Sequence, residues 1–321
     1  MFELLSDAGT WTYKTLYSFC PERFCLDGSG PYGGLTYSGA ISGEPYDGAS
    51  PLFGITIFGG DGDFNQCDGD NGYGCGTVYE LQHGQSGWSE QVLHSFCQQQ
   101  DCPDGAAPWA PLLVDASGNI YGTTDSGGAH HGGILFKLVP GAGNWSESVV
   151  KSFCYGKCPN GTGPGSGGVA INPSGNLVGF LQGGGNRPPP HNACRIGGCG
   201  VAYSLSRADK RSGYKVLYAF CSLADCRDGG MPTSVWSADP PVVDSEGDIF
   251  GAAGVGGTTR ECGTLFELNG SSLTVLYSFN DKNAVGCGPG HGLLRDQSGD
   301  LYGMTLYGGK NGSGAIFRYE P

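Results

Sequence analysis

Trp88-Ser-Glu-Gln-Val-Leu-His-Ser-Phe96 opens a unit that runs on through Cys97, Cys102-Pro-Asp104-Gly105, Pro108, Pro111-Leu-Leu-Val-Asp115, Gly118-Asn-Ile-Tyr-Gly-Thr-Thr124, Gly127-Gly128 and Ile134-Leu-Phe-Lys-Leu138. Four runs have strand composition: A, residues 112–115; B, 119–124; C, 134–138; and D, 145–153. Gly, Pro, Asn and Asp punctuate them, which is how an antiparallel four-stranded sheet reads in sequence. The D run recurs with Tyr17, His94, Lys151, Tyr218 and Tyr277 in equivalent places, at steps of 77, 57, 67 and 59 residues. Such uneven steps place the variation in loops.

A repeat of this length holding four strands predicts a β-propeller. The expected fold is all-β: one five-bladed propeller of four-stranded antiparallel blades over 1–321, with units near 34–96, 111–153, 168–220, 241–279 and 292–319. A D strand from the N-terminus, residues 11–19, is expected to close the last unit. The A-to-B turn is Asp-x-x-Gly-Asn/Asp, at Asp115 to Asn119, Asp244 to Asp248 and Asp296 to Asp300, with Asn172 to Asn176 as a variant. Its Gly suits a positive φ and its Asp or Asn bonds the local backbone, so these acids read as structural. A double glycine follows each B strand: Gly59-Gly60, Gly127-Gly128, Gly183-Gly184, Gly256-Gly257 and Gly308-Gly309.

The double glycines, with an aromatic near the start of strand D (Trp11, Trp88, Trp145, Tyr214), look like the kelch pattern. More closely, Leu-Tyr-Ser-Phe, Asp-Gly, Gly-Asn-Ile-Tyr-Gly-Thr-Thr, Gly-Gly and Leu-Phe-Lys-Leu in this order resemble the GloVer tandem repeat of bacterial proteins that carry varied surface anchors. The resemblance covers essentially the whole chain. It implies an extracellular or surface-attached location and supplies no catalytic residue, because that family has no established activity. The chain departs from the pattern in its loop cysteines, in the insertion between Leu35 and Leu52, and in the third unit, where Val178-Gly-Phe-Leu181 replaces Tyr-Gly-Thr-Thr.

With 61 Gly and 19 Pro among 321 residues and 15% charged residues, the chain is too turn-rich for helices, while 16 Tyr, 15 Phe and 5 Trp in register argue against disorder. A formal net charge of -13 with scattered Lys and Arg speaks against nucleic acid and anionic membranes. No apolar run reaches the length of a membrane span, and Met1-Phe2-Glu3-Leu4 lacks the features of a signal peptide, so a leader is expected to be missing from this sequence.

Fourteen cysteines fall into close pairs: Cys20/Cys25, Cys67/Cys75, Cys97/Cys102, Cys154/Cys158, Cys194/Cys199 and Cys221/Cys226, with Cys262 and Cys287 paired by elimination. Zinc needs two pairs converging on one ion, usually at tighter spacing, whereas these recur one per repeat, so disulfides in an oxidising compartment are expected.

In an A-B-C-D meander the B-to-C and D-to-A connections leave on one face, which carries the cysteine pairs and the longest insertions. Function is expected there. Asp61, Asp63, Asn65 and Asp68 have the alternating oxygen spacing of a calcium loop without the Gly and distal Glu of an EF-hand, and a solvated acidic loop is the competing reading. No other cofactor is expected. His130, His131, His191 and His291 lie on the same face as a weaker metal set. Tyr32, Trp109, Tyr155 and Trp236 are the candidate binding residues, either stacking on sugar faces or packing against neighbouring loops.

A glycosidase would need carboxylates on the A strands, which read Pro111-Leu-Leu-Val, Gly168-Val-Ala-Ile, Pro241-Val-Val and Gly292-Leu-Leu, with Arg295 the one charged exception. The expectation is therefore a non-catalytic extracellular or cell-surface module. Its partner is a glycan or surface component, or a second copy in a fibre built by strand donation. Phe2-Glu3-Leu4 adds a tension: it matches the end of a C strand, a slot that Ile316 to Arg318 already fills. Either Phe2 to Leu5 lies idle beside a closed fold, or the N-terminal hairpin is given to a neighbouring subunit.

Overall fold

Four of the five units begin their sheet at a turn that the backbone closes on itself. Asp115 Oδ1 accepts the N–H groups of Ser117 and Asn119 at 2.9 and 3.0 Å, and Gly118, at φ 76°, donates to the Asp115 carbonyl. Asp244 and Asp296 repeat the arrangement, and Asn172 does so through its amide oxygen. These acids are therefore occupied by turn geometry.

The structure is a computed structural model and describes all residues except 8, 63–66, 68–73, 157, 187–193, 195–196, 209–212, 233–239, 259–261 and 281–284. Strands β1 (Phe2–Asp7) and β2 (Thr10–Thr15) form a hairpin. The first sheet is β3 (Ser29–Tyr37), β4 (Leu52–Phe58), β5 (Thr77–Gly84) and β6 (Gly87–Ser95), in that order. In the second, strand A is split into β7 (Ala106–Pro108) and β8 (Leu113–Val114), both paired with β9 (Ile120–Ser126), and β10 (His131–Pro140) and β11 (Trp145–Cys154) follow. The third is β12 (Val169–Ile171), β13 (Leu177–Leu181), β14 (Val201–Leu205) and β15 (Tyr214–Ala219). The fourth is β16 (Val242–Val243), β17 (Ile249–Ala253), β18 (Thr264–Asn269) and β19 (Ser272–Ser278). The fifth has three strands, β20 (Cys287–Arg295), β21 (Leu301–Tyr307) and β22 (Ala315–Tyr319). All are antiparallel meanders, and the chain is an all-β, five-bladed β-propeller.

Contacts divide the chain into two compact units, one of residues 1–128 and 135–149, the other of 129–134 and 150–321. In the first, Phe19 packs on Tyr79 and Phe96 on Phe136, at ring separations of 4.8 and 5.1 Å. In the second, Phe153 meets Tyr203, Phe220 meets Phe266, and Phe279 meets Phe317, at 5.7, 5.1 and 5.1 Å. Each pair joins the last Phe of one D run to the C-strand aromatic of the next sheet. Burying such a ring contributes roughly 1.5–3 kcal/mol. The repeated Tyr-Gly of strand B follows from the same packing: a Cβ on Gly303 would lie 2.5 Å from Phe317 Cζ, so only glycine makes room for the ring there.

Two expectations need correction. In the third unit the positive-φ glycine pair is Gly184-Gly185 (φ 78° and 67°), one residue later than Gly183-Gly184, because Gly183 continues the chain as a β-bridge to Thr162. The strand expected to close the fifth sheet does not pair there: β2 pairs with β1 in a separate two-stranded sheet, and β22 has no fourth strand beside it among the described residues. The physical reason is locality. Gly9, at φ 84°, turns the chain back at once, and a two-residue connection closes with far less entropy loss than a pairing between the chain ends.

Candidate functional site

The junctions between successive sheets repeat one polar constellation. Near its end each D run presents a side chain, and the next loop presents an Asp just before a glycine whose N–H closes on a cysteine carbonyl. That N–H to carbonyl bond is 2.8 Å for Gly28 to Cys25, 2.9 Å for Gly105 to Cys102 and 2.9 Å for Gly229 to Cys226. Tyr17 Oη donates to Asp27 at 2.9 Å, and Cys20 N–H donates to both of its oxygens. His94 Nε2 lies 3.2 Å from Asp104, which accepts the Cys97 N–H. Tyr218 Oη donates to Asp228 at 2.7 Å, with the Ser222 and Leu223 N–H groups. Burial and the adjacent Asp push the Tyr17 and Tyr218 hydroxyls well above the ordinary phenol range, so both remain donors.

The D strand of the following sheet contributes a further residue. Burial, reinforced by the Asp27 charge, raises the Glu90 carboxyl to about 7, and burial raises Glu147 to about 6 beside His94 and Asp104. One oxygen of each is buried without a hydrogen-bond partner among the described residues.

Two junctions depart from the pattern. After Lys151 the loop repeats the turn, with Gly161 N–H 3.1 Å from the Cys158 carbonyl, but the Asp position holds Asn160. There Lys151 Nζ lies 4.9 Å from the centre of the Tyr214 ring, beside a cavity of about 180 Å³ that also takes in His130, Cys154, Cys158 and Asn160. After Tyr277 the Asp position holds Val285, and a mainly apolar cavity of about 340 Å³ opens among Leu265, Tyr277, Phe279, Val285, Phe317 and Tyr319. In the third sheet the corresponding space is filled by the fourth strand: Tyr214 of β15 stacks on Tyr203 at 5.5 Å and meets Phe153. Among the described residues the fifth sheet has no such strand, and Ile316 on β22 is 81% exposed.

The sequence candidates divide. Tyr32, on β3, and Trp109 pack edge to face on each other at 5.1 Å, so each ring is engaged by the other. Tyr155 is 77% exposed, on the disulfide loop beside the Lys151 cavity. Trp236, Asp63, Asn65 and Asp68 lie outside the described residues, and Asp61 accepts a hydrogen bond from Gln98 at 2.7 Å. His130 and His131 are exposed and join no metal cluster among the described residues, while His191 lies outside them. All seven cysteine pairs are joined as disulfides. They do converge, contrary to the sequence argument: Cys67, Cys75, Cys97 and Cys102 bring their sulfurs within 4.8 Å of one another, as do Cys194, Cys199, Cys221 and Cys226. The cause is the sheet-to-sheet packing, which lays successive B-to-C and D-to-A loops side by side.

The Asp-Gly turn after three of the D runs, the double glycine and the aromatic of strand C recur through the sequence as one structural unit, and the model of the Gloeobacter/Verrucomicrobia repeat matches residues 1–239. The chain belongs to that repeat family. No curated protein matches it. Among solved structures, an α-L-arabinofuranosidase from Fusarium graminearum is similar at 13% identity and TM-score 0.49, over 98% of this chain and 84% of that one. A prolyl endopeptidase is similar at 13% identity and TM-score 0.46, over 91% of this chain. The extracellular domain of a one-component system from B. thetaiotaomicron is similar at 11% identity and TM-score 0.44, over 97% of this chain. The repeat chain spans about a third of these last two proteins, 34% and 35% of their lengths. No helix among the described residues is long and apolar enough to cross a membrane.

Proposed function

We propose that this repeat protein is a non-catalytic structural module of an extracellular or cell-surface assembly, in which the fifth sheet is completed by β2 of a second copy. Seven disulfides support the oxidising compartment. The observation that carries the assembly is the unfilled fourth-strand place beside β22 together with its cavity.

The occupant follows from register. Where a C strand meets its D strand, Thr77 faces Ser95 and Tyr79 faces Val92; Leu205 faces Tyr214. Transferred to β22, the same register sets Ala315 opposite Ser18, Phe317 opposite Thr15 and Tyr319 opposite Tyr13. Tyr13 then takes the place of Tyr214 and fills the cavity against Phe279 and Phe317. In the free chain β1 holds that register in place of β22, with Phe2 opposite Thr15 and Leu4 opposite Tyr13, and Tyr13 is left 65% exposed. An exposed two-stranded hairpin is marginal in water, so exchanging β1 for β22 costs little. Lys14 would face Arg318, but Arg318 already pairs with Asp300 and Glu320, so the four charges balance.

A strand that left its own chain would join a second copy head to tail. Such contacts need not close and build fibres. The test is negative-stain imaging and light scattering of the purified chain at high concentration. Polymers that vanish on deleting Met1 to Thr15, and on Tyr13→Asp, support the reading. Polymers that survive that deletion, or a wild type that stays monomeric, overturn it.

A further inference from the structure

The junction after Lys151 carries a second site, independent of the strand exchange. Three of the other junctions supply their own carboxylate, Asp27, Asp104 or Asp228, to the side chain of the preceding D run. Only the junction after Lys151 combines a cation at that position with a neutral Asn160 at the carboxylate position. Lys151 has no ion pair among the described residues. Its ammonium group lies against the Tyr214 ring, which holds it within the cavity instead of letting it extend into solvent.

From this we infer that the cavity binds a carboxylated saccharide, a uronate, whose carboxylate takes the place of the missing Asp. Several features select a sugar acid over a bare anion. About 180 Å³ exceeds what a small carboxylate needs and suits one pyranose ring. Asn160 and His130 line the same space, and both carry side chains able to hydrogen-bond hydroxyls. Tyr155, 77% exposed, follows the lining residue Cys154, and its N–H donates to the His130 carbonyl at 3.2 Å, which ties it to a second lining residue. An exposed aromatic beside a recess is the usual stacking surface for the apolar face of a sugar.

The site predicts its own inverse variant. Asn160→Asp would restore the internal carboxylate used at three other junctions, pairing Lys151 within the protein and leaving no place for a ligand acid. The test titrates the full purified chain by calorimetry with a glucuronate-containing disaccharide, its methyl ester and acetate, at low and high salt. Expected are binding of the acid disaccharide that weakens with salt, at least tenfold weaker binding of the ester and of acetate, and at least tenfold loss in both Lys151→Met and Asn160→Asp. Asn160→Asp should also melt no lower than wild type, which separates loss of the site from loss of fold. Absence of binding at millimolar disaccharide, equal affinity for the ester, equal affinity for acetate, or binding unchanged in Asn160→Asp would each overturn the assignment. Because the titration reads a monomeric property, its failure leaves the strand-exchange reading untouched.

Discussion

Glu90→Gln offers a sharp test of the repeated junction. Glu90 projects from β6 toward Tyr79 and the Tyr17–Asp27 pair, and its carboxyl is raised from 4.5 to about 7, first by burial and then by the Asp27 charge. That difference would correspond to roughly 3 kcal/mol at about 1.4 kcal/mol per pKa unit. Glu90 is only half-buried, and solvent screening reduces the figure to about 1–2 kcal/mol. The sign follows from proton linkage. Between pH 4.5 and 7 the folded chain holds a proton at Glu90 that the unfolded chain has released, so this group's contribution to stability falls as pH rises through that window. Glutamine cannot ionise and escapes the penalty. Urea denaturation at pH 5 and pH 8, in low salt and with disulfides intact, should show the variant gaining about 1–2 kcal/mol on wild type between the two conditions. A difference between variant and wild type that is the same at both pH values would refute the buried, Asp27-facing placement of Glu90.

Other substitutions probe the scaffold. Gly127→Val places a β-branched residue at φ 77° with its Cβ 2.6 Å from the Cys102 carbonyl oxygen, and should destabilise by about 3 kcal/mol or more in thermal or urea unfolding. Phe96→Ala empties the buried contact with Phe136 and should cost roughly 3–5 kcal/mol by the same measurement. Non-reducing peptide mapping should return the seven disulfides, including Cys67–Cys75 and Cys97–Cys102 from one converged cluster; stoichiometric zinc with free thiols there would replace that pairing. Asp228→Ala should lower the Tyr218 hydroxyl, read by ultraviolet pH titration, while leaving it above the ordinary phenol range, because burial, the larger cause, stays and only the Asp228 acceptor and its charge are lost.

Features set by a few neighbouring residues were legible in the sequence. The Asp115 to Asn119 turn, the Gly127-Gly128 pair, the strand runs between them and disulfides five residues apart depend on φ preferences and local hydrogen bonds that the same residues carry in any context. The third unit misled by one glycine, because Gly183, Gly184 and Gly185 are interchangeable to a local rule and only the bridge from Gly183 to Thr162 distinguishes them. The junction sites were not legible, although Asp27, Asp104 and Asp228 against Asn160 and Val285 would have been a usable signal. Their meaning depends on packing that brings a D run, a following loop and the next D strand together from separate stretches of chain. Above all, tertiary structure decided the partner of β2. The β1 and β22 strands both present a C-strand pattern; chain connectivity makes the short β1–β2 hairpin cheap to close, and among the described residues β22 has no fourth strand beside it.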